Sequence, residues 1–94
     1  MDEINKKINT TPILQAGLAV VVRSWADEPV ELWLYSIENN GNTGIVGLKG
    51  GRHRIGVPIR DIYPSDVKMC EMARDAHSRG DRLALQQLYD SWRK

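Results

Sequence analysis

The spacing of apolar residues changes once along the chain, at Pro64. Before it, apolar residues come in short runs or alternate with polar ones. Leu18-Ala19-Val20-Val21-Val22, bounded by Gly17 and by Arg23-Ser24, reads as a β-branched strand. Trp25 to Pro29 reads as a loop. From Val30 to Ile37 the chain alternates. Val30, Leu32, Leu34 and Ser36 share one face; Glu31, Trp33, Tyr35 and Ile37 share the other. The aliphatic face is the expected core side. Trp33 and Tyr35 must then be covered or used, and packing under the C-terminal helices is the simpler expectation.

Asn39-Asn40-Gly41-Asn42 predicts a tight hairpin turn, because Asn and Gly accept positive φ. Thr43 to Leu48 follows as a third strand, with Gly47 marking a bulge or a close backbone approach. Gly50-Gly51 predicts another turn. Arg52 to Ile59 reads as a fourth strand with Ile55, Val57 and Ile59 facing the core. Pro58 has no backbone donor and places that end at an edge or bulge. Asp61-Ile62-Tyr63 reads as a short turn of 3₁₀ type.

Beyond Pro64 the period becomes helical. Ser65 or Asp66 is an N-cap for an amphipathic helix carrying Val67, Cys70, Ala73, Ala76 and His77. Arg79-Gly80-Asp81 ends that helix and caps the next. Leu85, Leu88, Tyr89 and Trp92 fall at i, i+3, i+4 and i+7, the stripe of a second short helix. So short a helix is marginal alone, so the stripe must pack on its neighbours.

The strand order, tight turns and 3₁₀-like element after the fourth strand resemble the SH3-like β-barrels of the Tudor and KOW type. The resemblance covers Gly17 to Pro64. It rests on the Gly17-led first strand, the aromatic second strand, Gly44-Ile45-Val46-Gly47-Leu48, and Arg52-His53-Arg54-Ile55-Gly56-Val57-Pro58 running into Asp61-Ile62-Tyr63-Pro64. The expected fold is mainly β with C-terminal α: a small SH3-like barrel of four to five strands followed by a helical hairpin. The expected organisation is one domain over residues 1–94. A loose arm covers 1–12, the barrel 17–63 and the hairpin 65–93. Such a resemblance implies a module that reads peptides, methylated side chains or nucleic acid. Trp25, Trp33, Tyr35 and Tyr63 would be the aromatic, protein-binding candidates.

Charge and composition limit the alternatives. The net charge is +1, so nucleic-acid binding would need a local patch. Lys49, Arg52, His53, Arg54 and Arg60 supply a candidate. In a regular strand Arg52, Arg54 and Arg60 share one parity and could form a row facing phosphates. The competing reading is a charged edge that prevents aggregation. Lys6 and Lys7 read more simply as part of a solvated tail. One cysteine, Cys70, excludes an intramolecular disulfide and a cysteine-based zinc site. Buried free cysteine is common, so Cys70 reads as core. Residues 1–11 carry no apolar run of the signal-peptide kind, and Leu18 to Val22 is too short to span a bilayer. Cytoplasmic location is the expectation.

Catalysis finds no foothold in the sequence. His53 and His77 lack a second ligand at useful spacing, and no glycine-rich segment opens a helix with Lys-Ser/Thr. The plasmid-borne SH3-like dihydrofolate reductases are barrels of similar size with a Val-Gln-Ile-Tyr motif. Here only Ile62-Tyr63 matches. The expectation is therefore a non-enzymatic interaction module with no cofactor and no metal. It would act first through contact with a protein. Nucleic-acid binding through the arginine patch is the alternative, and self-association through the second-strand face or Trp92 a third.

Overall fold

The computed structural model describes residues 14–92. The expected arm over 1–12, with Lys6 and Lys7, lies outside the described residues, as does the hairpin's last residue, Arg93. Five strands are present: β1 (Leu18–Arg23), β2 (Pro29–Glu38), β3 (Thr43–Gly47), β4 (Arg54–Pro58) and β5 (Ile62–Pro64). A 3₁₀ turn, Ile59–Asp61, joins β4 to β5. Two helices follow, α1 (Val67–Ser78) and α2 (Arg82–Trp92). The strands make one antiparallel sheet in the order β4-β3-β2-β1-β5.

One apolar cluster takes a side chain from every strand: Val20 and Val22, Leu34, Val46, Val57 and Ile62. The sheet therefore curves around this core. The strands and C-terminal helices come in the expected order, but the end strands, β4 and β5, do not bond to each other, so the barrel is not closed.

The turns follow the sequence. Asn39, Asn40 and Gly41 take φ values of 55°, 56° and 88°, three consecutive left-handed residues. Asp66 caps α1 by accepting from the Met69 N–H at 3.0 Å. Asp81 does the same for α2 through the Ala84 N–H at 3.1 Å.

Strand parity departs from expectation at Tyr35. Leu34 pairs with Val46 but Ser36 with Ile45, so Tyr35 is an extra residue, a β-bulge. Beyond it the faces exchange. Ser36 now lies beside outward Ile45, and Ile37 beside inward Gly44. The fourth strand is also shorter than predicted. It begins at Arg54, and Ile59 and Arg60 belong to the 3₁₀ turn. Val57 is buried, but Ile55 is 59% exposed, because β4 is an edge strand with no neighbour beyond it.

The outer face of the sheet is roofed on one side only. Val21 of β1 and Tyr63 of β5 pack under Cys70, Ala73, Ala76, Leu85, Tyr89 and Trp92. The alanines let α1 lie close to the sheet. The rings of Tyr63, Tyr89 and Trp92 stand 5.1 to 5.8 Å apart by centroid. Burial pushes the Tyr89 hydroxyl well above its usual pKa, with nearby Arg23 opposing. That hydroxyl donates to the Asp27 carbonyl at 2.7 Å. The Asp27 carboxylate meets Arg23 at 2.8 Å and Arg82 at 3.6 Å. The β1–β2 turn is thereby tied to α2. No helix among the described residues is long and apolar enough to cross a membrane.

Candidate nucleic-acid interface

Because the helices roof the β1–β5 side and reach β2 at Glu31, the outer face from Trp33 across β3 and β4 is left open. Trp33 sits opposite Ala19 on one side and Gly47 on the other, and Gly47 sits opposite Arg54. In this row the glycine between the indole and the guanidinium is covered by the β3–β4 loop backbone. Gly47 could not readily be larger, since a Cβ there would run into the backbone carbonyl of His53.

Trp33 and Tyr35 are therefore not under the helices, contrary to expectation. Cations cover them instead. The Lys49 ammonium lies 4.6 Å from the Trp33 ring centroid, and the Arg54 guanidinium 3.7 Å from that of Tyr35. Each contact is worth about 0.5–1 kcal/mol at an exposed site. The Tyr35 hydroxyl donates to the Leu48 carbonyl and accepts from the Gly50 N–H at 2.9 Å. It thus pins the β3–β4 loop, which carries Lys49, Arg52 and His53, against the sheet.

The cations fall into two sets. Arg23, Arg74, Arg79 and Arg82, on the helical side, each meet a carboxylate. Among the described residues, Lys49, Arg52, Arg54 and Arg60 meet none, and neither does Lys68 on α1. Lys49 and Arg54 lie on rings; Arg52 is exposed. A cation without a counter-ion can exchange its water for a phosphate without first breaking an ion pair.

The expected row of Arg52, Arg54 and Arg60 does not form. Arg52 precedes β4, Arg54 opens it, and Arg60 lies past its far end in the 3₁₀ turn, near Asn42 and Pro58. The patch is instead Lys49, Arg52, His53 and Arg54 around the loop. The four candidate aromatics do not converge either. Tyr63 is buried under the helices, and Trp25, 99% exposed, stands on the β1–β2 turn. Trp33 and Tyr35 alone share the open face with the cations.

The pairing of Lys49 with Trp33 is absent from the sequence reading. Its signal was the cross-strand register: once Trp33 opposes Gly47, Lys49 lies two residues further along the facing chain. Among the described residues, no group of three His, Cys, Asp or Glu side chains could hold a metal ion. The chain matches no protein-family model, and no curated protein or solved structure is significantly similar to it.

Proposed function

We propose that the protein is a non-catalytic binding module whose open β2–β4 face takes single-stranded nucleic acid. The carrying observation is the sorting of cations: those beside Trp33 and Tyr35 have no carboxylate among the described residues, whereas the helical arginines do. Single strands are held by the same two elements, cations along the backbone and aromatic faces under the bases. A phosphate that draws Lys49 or Arg54 aside uncovers the ring beneath it. An Arg54 that stays in place offers its own planar face to a base. From sequence, a protein is the first expected partner of the Trp33 and Tyr35 surface. The unpaired cations on those rings favour an anionic ligand there.

The test is fluorescence anisotropy with labelled oligo(U) and oligo(dT) at two salt concentrations. Binding should weaken with salt, and Lys49→Ala with Arg54→Ala should lower the log–log slope by about 0.7 per cation removed. Trp33→Leu should cost about 1–3 kcal/mol through lost stacking. Absence of binding at low salt, or binding indifferent to these changes, would refute the reading.

A further inference from the structure

The inner face of the open sheet carries a second feature. Between β4 and the β1–β2 turn lies a groove of about 560 Å³. Val22, Leu32, Ile55 and Val57 line it, with Trp25 and Asp61 among its walls. These aliphatic groups belong to the core side of the sheet, and they are reachable because no strand closes the gap beyond β4. Trp25 is almost wholly exposed, on a turn held to α2 through Asp27. The two carboxylates at the groove differ. Asp27 is taken by Arg23 and Arg82, but Asp61 has no side-chain partner among the described residues. The groove is thus apolar with one uncommitted negative charge. Along its margin runs β4, an edge strand bonded on its β3 side only.

We propose that β4 and this groove form a docking site for an extended peptide segment of a partner protein, one carrying an aliphatic side chain next to a lysine or arginine. The segment adds as a strand beside β4, where main-chain hydrogen bonds give affinity and alternate side chains give specificity. Side chains on the inner parity enter between Ile55, Val57 and Leu32, and Trp25 covers them. The basic neighbour reaches the Asp61 carboxylate. Pro58 has no N–H and limits pairing to the Arg54 end of the strand. This site lies on the sheet face opposite Trp33 and Tyr35, and its occupation does not depend on nucleic-acid binding.

The test is selection of a displayed library of random linear peptides on the full chain, followed by titration of the enriched peptides. Enrichment of sequences with an aliphatic residue beside Lys or Arg is expected. Asp61→Asn should weaken those peptides about tenfold, the equivalent of one charge-assisted hydrogen bond. Ile55→Arg should abolish binding; Ile55 is exposed enough for the fold to tolerate it, and Trp25→Ala provides a second variant that leaves the core untouched. Amide shifts in titrated samples should map to β4 and the 3₁₀ turn. No enrichment, enrichment of acidic sequences, or shifts confined to the Trp33 face would overturn the proposal. So would a homodimer in sedimentation that Ile55→Arg dissociates, since the occupant would then be a second copy.

Discussion

The Trp92 indole N–H donates to the Pro64 carbonyl at 2.9 Å, joining the last turn of α2 to the end of β5. The spacing change at Pro64 and the apolar stripe ending at Trp92 are two sequence signals, and this bond unites them. Trp92 is buried against Tyr63 and Tyr89, so the second helix is a docked part of the core. Trp92→Ala should cost about 3–5 kcal/mol in urea unfolding. Leu88 is only half-buried beside the same cluster. Leu88→Ala should cost about 1–2 kcal/mol, in proportion to the area lost. Unchanged melting temperatures for both variants would mean that α2 is not docked.

A methyl group at Gly47 has no room. Its obstacle is the backbone carbonyl of His53, which cannot swing away as a side-chain end could. Gly47→Ala should destabilise by about 1–3 kcal/mol, the usual range for overpacking. The measurement is a chemical-denaturation midpoint. A wild-type midpoint would show that β3 and the β3–β4 loop separate at little cost.

Tyr35→Phe keeps the ring under Arg54 and removes only the hydroxyl that spans Leu48 and Gly50. The freed backbone groups lie at the surface and turn to water, so the loss should be about 0.5–1.5 kcal/mol. The sharper readout is local: amide exchange at Gly50 should accelerate while that of β1 stays slow. Unaltered Gly50 exchange would mean that the hydroxyl does not restrain the loop.

Burial, with the hydrogen bond to Glu31, pushes the Cys70 thiol above its usual pKa, and Arg74 opposes. Folding thus favours the neutral thiol. A raised folded pKa contributes stability that is fully present below the unfolded thiol value, about 8.5, and lost as pH rises beyond it. The wild-type protein should therefore lose stability in that alkaline window more than Cys70→Ala does. Urea midpoints of both proteins on either side of about pH 8.5 give the comparison. Parallel pH profiles would contradict it. The native thiol should also resist an aromatic disulfide reagent until the chain unfolds.

Much of this architecture was legible because it rests on local signals. The left-handed run Asn39-Asn40-Gly41, the caps Asp66 and Asp81 and the Leu85-Tyr89-Trp92 stripe each act within a few residues. What escaped depends on register between distant strands. The bulge at Tyr35 reverses the facing of Ser36 and Ile37, and no residue in β2 announces it. Ile55 keeps the expected parity, yet its exposure is set by the missing neighbour of an edge strand. The cover over Trp33 and Tyr35 comes from Lys49 and Arg54, brought there by pairing with β3 and β4. The groove was invisible for the same reason, since an unclosed sheet leaves no mark in periodicity.

The position of β1 has a consequence for how the chain is made. It lies between β2 and β5, and Val21 pairs with Tyr63 after most of the described strands have intervened. A chain leaving the ribosome can form the β1–β2, β2–β3 and β3–β4 hairpins as they emerge, because their partners are near in sequence. The other edge of β1 must wait for β5, and Val21 remains uncovered until α1 and α2 arrive. The nascent chain therefore leaves the β5-facing edge of β1 and the outward side of Val21 exposed while the strands between are made. That is the interval in which a holding chaperone would have most to grip.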